Sequence, residues 1–302
     1  MATILSKTRY PIYVLSKGRW KKCMTATFLQ RDNVEFFLVV EAPEEESYRN
    51  KYTKATILVL PPESTGYGAI PVRNFIWQHA IDNGHARHWQ LDDNIQEMYR
   101  YNYGKRIRCH SLNVFRAAED FTDRYENIGI AGMNYYCFAI MQKMPPFYHN
   151  VHVYSCMLIQ NDMPYRWRGT FNADTDLCLQ VLSSGNLCTI LFNAFLADKI
   201  QTMTMKGGNT TSYKNNDGRL KMAKALERVW PGVVETKRKF KRPQHHIKNN
   251  WKNFDTPLVR KNNYSEITKS GIDNYSLGLI QFEKIRSPRL KKIFKIEKEK
   301  KL

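Results

Sequence analysis

The chain has 302 residues, 42% hydrophobic and 13% aromatic, enough to bury a substantial core, which speaks against a disordered chain. Lysine and arginine number 47 against 28 aspartate and glutamate, and the net +19 favours a polyanionic partner: nucleic acid, anionic lipid or phosphorylated substrate. No apolar run approaches the roughly 20 residues of a membrane span. No apolar stretch follows Lys7 and Arg9 as in a secretory signal, and six scattered cysteines without CxxC pairs suit reduced thiols in a cytoplasm.

In chain order, the apolar run 12–15 between Pro11 and Ser16-Lys17-Gly18-Arg19 predicts a buried strand and a polar loop, with a helix over about 20–31. The β-branched and aromatic run 34–40 is a second strand. Pro43 followed by three glutamates opens a helix, where proline is tolerated and acids meet the positive helix end. A third strand covers 56–60, and 72–81 reads as a helix ending at Asn83-Gly84. The strand 88–91 then stops on Asp92-Asp93-Asn94. Further on, 112–125 is an amphipathic helix, 128–132 and 151–159 are strands, 175–182 is a helix opened by Asp174, and 187–193 is a strand. Lys206 beside Gly207 and Gly208 reads as a loop whose amides can approach a phosphate.

Strands alternating with helices predict an α/β fold with a mostly parallel, Rossmann-type sheet flanked by helices, whose ligands sit beyond the carboxyl ends of the strands. The loop 16–19 and the acids at 92–94 would meet there. Two carboxylates and an amide suit a hard divalent cation such as Mg²⁺ or Mn²⁺ shared with a substrate phosphate; the plainer alternative is a solvated turn. The composition shifts near residue 230: residues 231–302 carry 19 basic and 7 acidic side chains, so they read as a basic C-terminal region after a catalytic part over 1–230. The run 237–242, interleaved with Phe240, Trp251 and Phe254, fits nucleic-acid phosphates and bases, whereas 291–302 reads as a solvated cationic tail.

Taken together, IYVLSKGR at 12–19, PVRN at 71–74, WQLDDN at 89–94, NADTDL at 172–177 and the Lys-Arg…His-His stretch resemble GT-A-fold nucleotide-sugar glycosyltransferases. More narrowly, the chain is similar to the TET/JBP-associated glycosyltransferases of phages, relatives of the base J glucosyltransferase. The resemblance spans roughly residues 10–255. It implies transfer of glucose or arabinose from a UDP-sugar, with Mn²⁺ or Mg²⁺, to the hydroxymethyl group of 5-hydroxymethylcytosine in DNA, in the host cytoplasm.

Carried over residue by residue, the resemblance gives Ser16, Lys17 and Arg19 to the nucleotide, and Arg73 and Asn74 to the diphosphate or nucleoside. Asp93, with Asp92 and Asn94, takes the metal, and His245 and His246 offer a late metal ligand or diphosphate contact. Asp174 is the base, with Asp176 the competing acid; Ala173 stands where the family has a glutamate. Trp167, Tyr165 or Trp251 would stack on an acceptor base turned out of the duplex. Two other classes stay open: a two-metal nuclease, which needs more carboxylates nearby, and a non-catalytic DNA-binding protein, which leaves the acids unused.

Overall fold

The protein was analysed as a computed structural model that describes residues 7–102, 104–140, 144–200, 218–239 and 241–262. Lys206, Gly207, Gly208 and the tail 291–302 lie outside the described residues. The chain begins with the alternation read from its sequence: β1 (Ile12–Leu15), α1 (Met24–Arg31), β2 (Phe37–Val40), α2 (Glu45–Lys51), β3 (Thr56–Val59), α3 (Ala69–Asp82) and β4 (Arg87–Asp92). There follow β5 (Ile95–Asn102), β6 (Lys105–Arg108), α4 (Ser111–Thr122), β7 (Ile128–Tyr135), β8 (Phe147–His149), β9 (Cys156–Gln160), α5 (Ala173–Ser183) and β10 (Cys188–Lys199). The last elements described are α6 (Gly218–Val229) and the hairpin β11 (Val234–Lys239) and β12 (Arg242–Ile247).

Ten strands form one sheet in the order β3-β2-β1-β4-β9-β7-β10-β5-β6, with β8 also on β10. Their pairings leave seven running one way and only β5, β8 and β9 opposed, so the α/β, mostly parallel sheet expected from sequence is present. The inserted β9 is antiparallel to β4 and β7. Consequently the carboxyl ends of β1, β4, β7 and β10 and the start of β9 share one edge of the sheet.

β4 shows how sequence alternation becomes architecture, because successive side chains leave a strand on opposite faces. Trp89 and Leu91 enter the main core, and the Trp89 indole donates to the buried Glu119 of α4 at 3.0 Å. On the other face His88, Gln90 and Asp92 point toward α3 as a polar ladder. The Gln90 amide donates to the Arg73 carbonyl (2.9 Å) and to His88 Nε2 (2.8 Å), while His88 Nδ1 meets Asn161 Oδ1 at 2.5 Å. Those partners fix a neutral imidazole, and burial pushes its pKa from 6.5 down to about 3.

The expected strand 151–159 is regular only over β9. Before it, Ser155 adopts a left-handed φ of 58° and the Cys156 amide donates to the Tyr154 carbonyl, a tight turn that aims Ser155 at the sheet edge. Gly132 makes room: a Cβ there would lie 2.4 Å from the Cys156 carbonyl oxygen. The strands β5, β6, β8, β11 and β12 were not anticipated. The chain after 230 packs onto what precedes it, with Val234 and Ile247 sharing a small core with Leu179 and Leu226, and Asn150 and Asn127 donating to carbonyls of Phe254, Thr256 and Pro257.

Because His88 binds a proton at 6.5 when unfolded but only near 3 when folded, the unfolded state takes up more protons between those values. Stability contributed by the neutral ring should therefore be present above pH 6.5 and be lost as pH falls toward 3, by roughly 3–5 kcal/mol. Denaturant unfolding across that range should show a shallower pH slope for His88→Gln than for the natural chain.

Candidate active site

The shared sheet edge gathers residues far apart in sequence: Asp92 at the end of β4, Tyr135 at the end of β7, Ser155 before β9 and Lys199 at the end of β10. Asp92 is their hub. Its Oδ1 accepts from Arg73 Nη2 at 2.7 Å, and its Oδ2 accepts from Lys199 Nζ (2.8 Å) and Ser155 Oγ (2.8 Å). Lys199 also donates to Ser155 Oγ (2.7 Å) and Tyr135 OH (3.2 Å). Burial would raise the Asp92 carboxyl, but Lys199 and Arg73 hold it down at about 2. One carboxylate thus carries two cations, each 12% exposed, leaving this group with a net positive charge.

Asp93 leaves β4 on the opposite side. Its carboxylate pairs with the buried Arg19 and accepts from Ser16 Oγ at 2.7 Å, and Tyr48 OH lies 2.7 Å from that Oγ. Its carbonyl accepts the first amides of α1, from Met24 and Thr25. At 5% exposure this is a structural ion pair joining β1, α1 and β4. Burial raises its pKa against the pull of Arg19. Lys17 is exposed and paired with Glu41 at 2.7 Å.

A second group faces the site from α5 and β12. Asp174 lies in the first turn of α5, where the helix dipole favours an anion, with Oδ1 accepting from the Thr175 amide at 2.8 Å. His152 Nε2 stands 3.4 Å from Asp174 Oδ2 and 3.2 Å from Thr175 Oγ1, and His245 Nε2 is 3.4 Å from the same hydroxyl. Enclosure in the cleft would raise the Asp174 carboxyl; His152, the Thr175 amide and the charge of Arg73 hold it well below the usual carboxylate range. The group is an ionised carboxylate beside an imidazole, with 38% of its side chain exposed.

Several of the expected site residues make other contacts in the folded chain. Asn74 donates to the Trp167 carbonyl (2.8 Å) and accepts from its amide (3.1 Å), so it pins the loop before α5 rather than reaching the cleft. Asp176, 4% exposed, is held by Arg168, Gln180 and the Trp230 indole, away from Asp174. Trp167 is buried beneath the Arg73 guanidinium at 4.6 Å and offers no open face for stacking.

The expected Mn²⁺ or Mg²⁺ centre does not fit the side chains as folded. A hard cation needs several free oxygen ligands. Both Asp93 oxygens are taken by Arg19 and Ser16. Asn94 is 2% exposed, with Nδ2 donating to the Ile200 carbonyl and Oδ1 enclosed without a hydrogen-bond partner among the described residues. His245 faces Thr175, and His246, its neighbour on a strand, points to the other side of the hairpin. Among the described residues no three His, Cys, Asp or Glu side chains group to hold a metal. Of the expected ligands, Asp92 already binds the Arg73 guanidinium and the Lys199 ammonium, and the single enclosed Asn94 Oδ1 does not make up a hard-cation shell.

Lys199, Ser155, Tyr135 and His152 were missed. For His152 a signal existed: in Val151-His152-Val153-Tyr154 the polar and apolar residues alternate, which sets His152 and Tyr154 on one side. Lys199 was hidden because the expected strand stopped six residues short of it.

An α/β sheet with an acid, two cations and a carboxylate–imidazole pair at its carboxyl edge is the setting of a group-transfer enzyme, and residues 10–208 match the family described as TET-Associated Glycosyltransferase. The chain is a glycosyltransferase. It belongs to the TET-associated family, and the matched span takes in β1, α3, β4, α5 and β10. A crystal structure described as a nucleotide-diphospho-sugar transferase from Desulfovibrio desulfuricans G20 is similar at 11% identity and a TM-score of 0.37, covering 74% of this chain and 98% of that one. No match is found among curated proteins. Among the described residues no helix is long and apolar enough to cross a membrane.

If Asp93 is structural, Asp93→Ala removes the buried ion pair with Arg19 and should cost about 3–5 kcal/mol of stability. Thermal unfolding should show a large drop in Tm for this variant; an unchanged Tm would return Asp93 to the list of available ligands.

Proposed function

We propose that the chain moves a sugar, glucose or arabinose, from a nucleotide diphosphate such as UDP to the hydroxymethyl group of 5-hydroxymethylcytosine in DNA. The observation that carries the reading is the Asp92–Arg73–Lys199 cluster lying at the same sheet edge as the ionised Asp174. The Asp92 group by itself holds two cations for one carboxylate, which suits a diphosphate, and a fixed cation beside a leaving group stabilises charge as it develops. The net +19 of the chain suits a DNA acceptor.

In this reading Arg73 and Lys199 hold the diphosphate and neutralise it as the sugar leaves. The acceptor oxygen attacks the anomeric carbon, the bond from that carbon to the phosphate oxygen breaks, and the nucleoside diphosphate departs with the electron pair. Asp174 takes the hydroxyl proton, with His152 beside it to steady the carboxylate. The cations that a metal would otherwise supply come from the chain itself.

Thermal stabilisation by a panel of nucleotide sugars, followed by mass spectrometry of nucleosides from plain and hydroxymethylated DNA, identifies donor and acceptor. Asp174→Asn should lower kcat by about 10²–10⁴ with donor affinity unchanged. Lys199→Ala should weaken donor binding about tenfold or more, and EDTA should leave the donor affinity of the natural chain unchanged. Donor binding that requires added Mn²⁺ would defeat the two-cation reading while leaving sugar transfer intact.

A further inference from the structure

Beside the site runs a continuous series of rings that the donor chemistry does not use. Trp251 lies nearly parallel to His152, with centroids 6.1 Å apart and planes at 13°. His152 meets Tyr154 edge-on at 5.0 Å, Tyr154 meets Tyr135 at 4.3 Å, and Tyr135 meets Phe138 at 5.5 Å. Phe138 also stands edge-on to Tyr154 at 6.5 Å. The inner end is anchored to the reacting groups: His152 to Asp174, and Tyr135 through its hydroxyl to Lys199 and Ser155. Tyr154 is held in place by donating to Asn134 Oδ1 at 2.6 Å.

The outer end is open. Phe138 is 55% exposed and Ile140, two residues on, is 78% exposed, so two large apolar side chains stand in water at one turn. That turn is braced from below: the Arg106 guanidinium lies 4.4 Å over the Tyr136 ring and donates to the Ala139 carbonyl. Its brace belongs to the hairpin β5–β6, where residues 98–108 hold four basic and no acidic side chains; Arg108 pairs with Glu97, and Asp198 of β10 interacts electrostatically with Arg106. An exposed aromatic step beside a hairpin rich in basic side chains has the chemistry that single-stranded nucleic acid recognises: bases stack on rings while the backbone follows the cations.

We propose that this aromatic wall seats the acceptor nucleobase, turned out of its strand, with Phe138 as the stacking residue at the mouth and the β5–β6 hairpin along the phosphates. The proposal rests on the DNA-acceptor reading above and gives it a location. A base lying along the wall has Lys199 and Arg73, and hence the donor, at one side of its inner end and Asp174 at the other. The wall thus replaces the buried Trp167 as the stacking surface.

The test uses the full chain and a short oligonucleotide carrying one hydroxymethylcytosine, with 2-aminopurine at the acceptor position in a parallel oligonucleotide to report stacking. Phe138→Ala should lower kcat/KM for the oligonucleotide about tenfold or more and remove the 2-aminopurine quenching. Phe138→Trp should restore both, and affinity for UDP-glucose should be the same in all three proteins. A Phe138→Ala protein whose acceptor kinetics match those of the natural chain within twofold would overturn the wall while sparing the DNA reading. A natural chain that binds its sugar nucleotide but neither binds nor modifies the oligonucleotide would overturn both.

Discussion

Two adjacent aspartates end β4, and the pleat sends their carboxylates in opposite directions. Each meets cations delivered from a distance, Arg19 for Asp93 and Arg73 with Lys199 for Asp92. A carboxylate removed from water without such a partner is costly, so the sheet edge can close only with those cations in place. The two pairs differ in consequence. The Asp93 pair has equal charges, is sealed, and joins β1, α1 and β4. The Asp92 group has one anion for two cations and stays 25% open, so its unspent charge is directed outward.

That division bears on the metal question. An Asp-Asp-Asn strand end is a reasonable lure for a hard cation, and the resemblance to GT-A enzymes strengthens it. The decisive information, however, lies in side chains 74 to 107 residues away, at Arg19 and Lys199, and in the register that brings β10 beside β7. No local pattern around residue 92 encodes those encounters.

Much of the fold was nonetheless legible. The parallel block β3-β2-β1-β4 follows from short β-branched runs separated by helical patterns, and the placement of the site beyond the carboxyl ends follows from that. The hairpin β5–β6 escaped notice because Tyr99-Arg100-Tyr101 and Lys105-Arg106-Ile107-Arg108 lack an apolar face; the pair is stabilised by β10 on one side and by ring and guanidinium contacts with Tyr136. The roles of Asn74 and Asp176 were hidden for a related reason. Both look like exposed helix-start polar residues in sequence, but Asn74 is engaged by the Trp167 backbone and Asp176 by Arg168, Gln180 and the Trp230 indole. Asp174 stands in the first turn of α5, a position that needs no distant partner to be fixed.

The account stands most directly on where a diphosphate lies. A crystal structure of the protein with UDP, grown in EDTA and again with Mn²⁺ and recorded at the manganese edge, would show it. The diphosphate should sit within hydrogen-bond distance of Lys199 Nζ and Arg73 in both crystals, with no anomalous peak beside Asp92. A manganese ion bridging Asp92 or Asp93 to the phosphates, with Lys199 displaced from the carboxylate, would contradict it.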